Sequence, residues 1–311
     1  MRLVLVRGGY IPWMVEYQRT EGKEQTLDLG GTMGDQTLDV MVNEHYSSDG
    51  LLDRILTTAR ETGIALDEAC SDDFSPVSEF HIGGRKATIH LADMAQLSVQ
   101  DKVLDIGSGL GGPARTLVEE FAVRVEGIDL THEFCSVANG LTRITGLSDR
   151  AVFSQGNALS LTGDSDNYDV VWTQQSCMNI EDKHQMFSEV YRVLKPGGTF
   201  VFQEVFAGDR EGLISLPVPW ARTADMSFLW PADIIRSSIL EAGFIEHIWK
   251  NVTNQYLDEY RVTAEETKDS MQSPVLGVHL LLGNEARLMR KNVLDNLSKG
   301  LISLYQGVFK K

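Results

Sequence analysis

The sequence predicts an α/β fold, a parallel sheet covered by helices on both faces. Three observations carry this reading. Strand-like apolar runs alternate with helix-period segments of about 10–15 residues through the middle of the chain. A glycine-rich turn, Gly107 to Gly112, links the first run to the helix after it. The second run ends on a carboxylate, Asp129, about 20 residues beyond the first glycine.

The elements follow in order. Residues 1–40 read as an N-terminal arm punctuated by Gly30, Gly31 and Gly34. Residues 41–98 read as a helical cap. Leu51, Leu52, Ile55, Leu56 and Ala59 fall at helical spacing after the Ser47-Ser48-Asp49 turn, and a second helix begins near Gly84. The Asp- and Ser-rich stretch from Asp67 to Ser78, which holds Pro76, reads as a loop between them. The core, 99–250, has strands expected at Lys102–Ile106, Arg124–Asp129, Ala151–Gln155, Tyr168–Gln174 and Gly198–Glu204. Helices are expected at Pro113–Phe121, His132–Thr145 and Asp182–Leu194, with a loop near Leu159–Asn167. A Pro/Trp loop at Pro217–Trp220 precedes a helix near Pro231–Ala242 and a strand at Phe244–Asn251. Residues 251–311 read as a helical insertion to about Lys299 and a final strand at Leu301–Phe309.

Composition narrows the function classes. Among 311 residues, 28 Lys and Arg against 44 Asp and Glu leave a net charge of −16, and no basic run exceeds Lys310-Lys311. Such a surface repels phosphate backbones and anionic lipid, so neither nucleic acid nor membrane is an expected partner. Cys70, Cys135 and Cys177 are too few and too scattered for a disulfide framework or a zinc site, and no metal is expected. Cys135 and Cys177 read as small buried hydrophobes. The N-terminal run lacks a long apolar region and a small-residue cleavage site, and no apolar stretch is long enough to span a bilayer. The expected compartment is cytoplasmic.

The segment Val103-Leu-Asp-Ile-Gly-Ser-Gly-Leu-Gly-Gly-Pro-Ala-Arg115 is the most informative. Glycines at the carboxyl edge of a parallel sheet let a ligand approach the backbone, and Pro113 suits a first helical turn. Gly107, Gly109 and Gly112 formally satisfy the dinucleotide pattern, and such a turn can also serve packing alone. Asp105, two residues before the first glycine, is poorly sited beside a pyrophosphate but suits an ammonium group or an ordered water. Asp129 fits ribose hydroxyls with either kind of cofactor.

The segment resembles the first motif of the class I S-adenosylmethionine-dependent methyltransferases. The rest follows in that family's order: Gly127-Ile-Asp129, Gly156-Asn157-Ala158, Tyr168-Asp169-Val-Val-Trp172 and Leu194-Lys195-Pro196-Gly197-Gly198. The resemblance implies a Rossmann-like seven-stranded sheet, mostly parallel with the last strand antiparallel. It also implies an N-terminal helical cap and a helical insertion before the last strand. In the S-adenosyl-L-methionine site, Gly107, Gly109 and Gly111 would pass the methionine part and Asp129 the ribose. Asn157, Ala158 and Leu130 would meet the adenine. The family more often has Asp where this chain has Asn157, which keeps the acceptor oxygen and adds a donor. Gln174 would touch the methionine carboxylate or ammonium.

Two further stretches resemble narrower groups. His45-Tyr46-Ser47 is similar to the aromatic lid over the cofactor in sarcosine/dimethylglycine, sterol and cyclopropane-forming methyltransferases. Glu79-Phe-His81-Ile-Gly-Gly-Arg85 is similar to a stretch of the sarcosine/dimethylglycine N-methyltransferase-like group. His81 reads equally as a cofactor-site hydrogen-bonding group or a structural cap. Trp220 is a candidate aromatic wall for a cationic acceptor or a hydrophobic plug. Arg222 is a candidate partner for a substrate carboxylate or a surface arginine. His279 reads first as a core residue. A general base is needed only for a protonated acceptor, and His81 and Glu204 are the candidates.

The expected function is methyl transfer to a small amino-acid-like amine. Transfer to the sulfur of a thioether, or to carbon or oxygen of a hydrophobic ring or lipid, stands as an alternative. A non-catalytic S-adenosylmethionine-binding module comes next, and a dinucleotide oxidoreductase last. A homodimer is compatible with all of these.

Overall fold

A computed structural model describes residues 50–266 and 276–311. The proposed arm at 1–40, the start of the cap and Tyr46 lie outside the described residues. The cap begins with α1 (Leu51–Glu61), whose Leu51, Ile55 and Ala59 are buried on one face. They meet Phe134, Val137 and Leu141 from the core.

The stretch expected as a loop at 67–78 contains a helix instead, α2 (Ser71–Ser78). Asp73 accepts the Cys70 N–H at 2.8 Å and caps its start. Pro76 cannot donate to the Asp72 carbonyl, and the Ser75 hydroxyl takes over that bond at 3.0 Å. Phe74 and Val77 are buried, so packing completes a helix whose sequence is dominated by turn formers. Next, α3 (Gly84–Ala95) packs on the core through Ala87, Leu91 and Ala92.

The core alternates as expected: β1 (Lys102–Ile106), α4 (Gly112–Phe121), β2 (Arg124–Asp129), α5 (His132–Ile144), β3 (Ala151–Gln155), β4 (Tyr168–Gln174), α6 (Lys183–Val193) and β5 (Leu194–Ala207). The β5 strand starts at Leu194 rather than Gly198. Leu194 already pairs with Tyr168, and the register shifts before Val170 meets Thr199, so Pro196-Gly197 bulges within the strand. Then follow α7 (Ala232–Glu241), β6 (Ile245–Asn251), α8 (Thr253–Glu266), the short α9 (His279–Leu282), α10 (Ala286–Ser298) and β7 (Ile302–Lys310).

The seven strands run in the order β3-β2-β1-β4-β5-β7-β6. β7 is antiparallel to both neighbours, and the pairs among β1 to β5 are parallel. The sheet is therefore the predicted one, with α8 to α10 inserted before the last strand. Strand order reverses between β1 and β4, and a crevice opens there at the carboxyl ends, where open α/β sheets bind ligands.

Two buried charges fix the rim of this crevice. Lys183 donates to the carbonyls of Ile180 and Phe228, both at 2.6 Å, tying the loop that carries Trp220 to the start of α6. Glu204 accepts the N–H groups of Ser176 and Cys177 at 3.2 and 3.1 Å and so shapes the turn after β4. No helix among the described residues is long and apolar enough to cross a membrane.

Candidate functional site

Two cavities meet at the carboxyl edge of the sheet. The smaller, about 650 Å³, lies over the ends of β1, β2 and β3. The larger, about 1040 Å³, lies between α3, the loop at 217–220 and the inserted helices. Phe80, Gly107, Gly109 and Gln175 line both, so the cavities adjoin at that point.

Asp129, Leu130, Asn157 and Ala158 all line the smaller cavity. Each is there because a parallel strand has just ended and the chain turns outward. Asp129 is held in place: Oδ2 accepts the Gly109 N–H at 2.9 Å and Oδ1 the Thr131 N–H at 2.8 Å. Burial raises its pKa and these backbone donors oppose the rise. The glycine loop is thereby tied to the end of β2. Asn157 Oδ1 accepts the Leu159 N–H at 2.8 Å, which sets the turn after β3.

Gly107 and Gly109 line both cavities, whereas Gly111 lines neither. Gly111 has φ +73°, and a Cβ there would come 2.6 Å from the Phe153 ring, so its role in the fold is a close packing contact. Asp105 is also outside both linings. It is buried, and its Oδ2 has no hydrogen-bond partner. Burial pushes its carboxyl up to about 8, with the negative charges of Asp129 and Glu79 adding to the shift.

Gln174 and His81 line the larger cavity, in a hydrogen-bond chain whose direction can be read from one end. Trp172 Nε1 can only donate, and it lies 3.2 Å from Gln174 Oε1. Gln174 therefore turns its Nε2 to His81 Nδ1 at 3.2 Å, which makes Nδ1 the acceptor. Its Nε2 lies 3.2 Å from Glu79 Oε2 and donates to it. Both ring nitrogens of His81 are engaged with protein partners. Burial would raise the Glu79 carboxyl, but hydrogen bonds from His81, Thr116 and Thr88 outweigh it and hold the pKa low. The chain continues outward through Thr116 to Arg85, which donates to Thr116 Oγ1 at 2.6 Å and pairs with Glu119 and Glu120.

Trp220 lines the larger cavity, and its Nε1 donates to Ser227 Oγ at 3.0 Å. Arg222 lines neither cavity; it is exposed and paired with Glu285. Glu204 lies behind the β4 turn and lines neither, with its carboxyl pushed up to about 7 mainly by burial. His279 also lines neither cavity.

The sequence reading missed Gln175, which lines both cavities with φ +57°, and Tyr256, which closes the larger cavity against Gly83. Phe80, within the Glu79–Arg85 stretch, also has a place at the site: its ring lies against Gly109 where the cavities adjoin. A single sequence carries no mark of a left-handed glutamine, and Tyr256 comes from the insertion, far from any motif.

Comparison with known proteins agrees with this geometry. Residues 104–202 match the model of the family described as Methyltransferase domain. "Methyltransferase GfsG" of Streptomyces halstedii is 31% identical over 133 residues, 43% of this chain and 48% of that protein. "Glycine/sarcosine/dimethylglycine N-methyltransferase" of Actinopolyspora halophila is 25% identical over 222 residues, 71% of this chain and 38% of that protein. The chain thus spans half or less of the curated relatives it matches. Among solved structures, the geranyl diphosphate C-methyltransferase of Streptomyces coelicolor A3(2) shares the fold. It has a TM-score of 0.63 at 18% identity, with 91% of this chain and 99% of that chain covered. Residues 104–202 thus match a methyltransferase domain, set in a sheet whose strand order and ordered motifs resemble those of the class I S-adenosylmethionine-dependent methyltransferases.

Proposed function

We propose that the chain transfers a methyl group from S-adenosylmethionine, held in the smaller cavity, to a bulky and largely apolar small molecule in the larger. The observation that carries this reading is the junction of the two cavities at Phe80, Gly107, Gly109 and Gln175. Among the described residues, a donor and an acceptor bound on either side would come together there.

The residues present suit the cofactor. Each Asp129 oxygen keeps a lone pair for ribose hydroxyls beyond its backbone bond. Ile128, Leu130, Phe134 and Leu159 offer apolar surface to a purine. The negative field of Asp129 and Glu79 favours a ligand with ammonium and sulfonium charges. When bound, the cofactor supplies an electrophilic methyl on its sulfonium. The chain's own contribution is to align the acceptor and exclude water, which can lower a barrier by about 7–11 kcal/mol. We assign His81 and Glu204 to positioning. His81 fixes Gln174, and Glu204 fixes the turn after β4.

The size of the larger cavity favours a bulky acceptor, since small-molecule pockets run from about 300 to 1,000 Å³ and a compact amino acid would fill only a corner of it. Ile82, Met178, Pro219, Trp220, Tyr256 and Val293 make most of its wall apolar. A second reading keeps the small cationic amine. Trp220 with Asp258 and Glu259 on the same cavity supports it, as does the likeness to the Actinopolyspora halophila enzyme.

The test is methyl transfer from labelled S-adenosylmethionine to a panel of glycine, sarcosine, dimethylglycine, a thioether, phenols and polycyclic alcohols. Turnover is expected on the ring compounds. Turnover confined to the methylated glycines would replace the bulky acceptor with the compact amine.

A further inference from the structure

We propose that Phe80 selects the charged state of the cofactor: its ring face attracts the sulfonium at the transfer point and lets go of the neutral thioether left after transfer. This deepens the two-cavity reading above and rests on it.

Phe80 stands where the cavities adjoin because its neighbours are pinned. Before it, Ser78 and Glu79 lie against the glycine loop. A Cβ on Gly112 would come 2.3 Å from the Ser78 carbonyl oxygen and 2.6 Å from Glu79 Cγ. Glu79 Oε2 accepts the Thr88 hydroxyl at 2.7 Å, and Oε1 accepts that of Thr116. After it, the His81 ring is held by Gln174 and Glu79. The Phe80 side chain between these anchors is half-buried rather than sealed, and it lines both cavities.

The ring is turned edge-on to the loop. A Cβ on Gly109 would have only Cε1 and Cζ of Phe80 within 4 Å, at 3.2 and 3.5 Å. A ring lying flat on the loop would bring more of its atoms that close. With its edge spent on Gly109, the ring turns its faces along the crevice, and the Phe134 ring meets it at 70° with centroids 6.5 Å apart. An aromatic face carries partial negative charge and draws a cation, more strongly where water is excluded. The other residues common to both cavities are Gly107 and Gly109, without side chains, and Gln175, whose Nε2 is sealed off. Transfer breaks the methyl–sulfur bond and leaves its electron pair on sulfur, while a lone pair of the acceptor forms the new bond. The positive charge leaves the sulfur with the methyl, and the attraction to the ring ends there.

The experiment reads binding rather than turnover. Calorimetry compares S-adenosylmethionine with S-adenosylhomocysteine on the native chain, on Phe80→Leu, and on a chain carrying pentafluorophenylalanine at position 80. Fluorination keeps the ring's shape and reverses the charge of its face, so it decides the matter where Phe80→Leu destabilises the chain. Both variants are expected to lose about fivefold in preference for S-adenosylmethionine, with S-adenosylhomocysteine bound nearly as in the native chain. Equal losses for the two ligands would make the ring a packing residue, and an unchanged preference in the fluorinated chain would remove its electrostatic role. Either result overturns the proposal. Failure of the native chain to bind either ligand would instead remove the two-cavity reading, and this inference with it.

Discussion

Gly107→Ala is expected to cost about 3 kcal/mol of stability and to abolish S-adenosylhomocysteine binding, while Gly146→Ala costs about 1 kcal/mol and leaves binding intact. The two glycines have nearly the same backbone, φ +73° and +72°, so they pay the same penalty for a left-handed side chain. They differ in what a Cβ would meet. At Gly146 nothing lies within 4 Å, whereas at Gly107 the Cβ would stand 2.3 Å from Ser176 Cβ. Ser176 is pinned between the Ile106 carbonyl, which accepts its hydroxyl at 3.1 Å, and Glu204, so it cannot step aside. The displaced atoms are those between the two cavities. Urea unfolding and calorimetry on both variants check this, and equal costs would mean that the loop is not close-packed.

Asp105→Asn is expected to stabilise the fold at pH 8, and to do so less as the pH falls. Burial raises the folded-state pKa of Asp105 from 3.8 to about 8. The stability it contributes is therefore full below about pH 4 and is lost as the pH rises toward 8, because the folded state must give up a proton it holds more tightly than the unfolded chain does. At 1.36 kcal/mol per pH unit the loss approaches about 5 kcal/mol. Glu204 acts in the same direction over a lower window, from 4.5 to about 7. The native chain is thus expected to be less stable at pH 8 than at pH 5 in urea titrations. Asp105→Asn should flatten much of that slope, and Glu204→Gln a smaller part. An Asn variant weaker than the native chain at pH 8 would mean that Asp105 is ionised and paired.

Much of this architecture was legible because apolar periodicity and turn chemistry are local. The strands after the glycine loop fall within a residue or so of their expected bounds at β2, β3 and β4, and the parallel order follows from the alternation. What escaped depends on distant partners. The helix Ser71–Ser78 forms because Phe74 and Val77 find a core and Ser75 repairs the bond Pro76 removes. Leu194 joins β5 because Tyr168 is there to pair with it. At the site, motif spacing brought Asp129, Leu130, Asn157 and Ala158 to one cavity, since each lies at or just after the end of a parallel strand. Side-chain commitments were not legible. His81 meets Gln174 from 93 positions away, and Arg222 meets Glu285 from 63. Gln174 and Gln175 are identical in chemistry, and only the backbone turn between them decides which one faces the junction.

The central claim is that the smaller cavity takes S-adenosylmethionine and opens onto an acceptor space. Calorimetric titration of the purified chain with S-adenosylhomocysteine, with NAD run alongside, tests it most directly. Saturable binding of S-adenosylhomocysteine, lost in Gly107→Ala and kept in Gly146→Ala, with no heat from NAD, is the expected result. Binding of NAD instead, or of neither ligand by a chain that melts cooperatively, would contradict it.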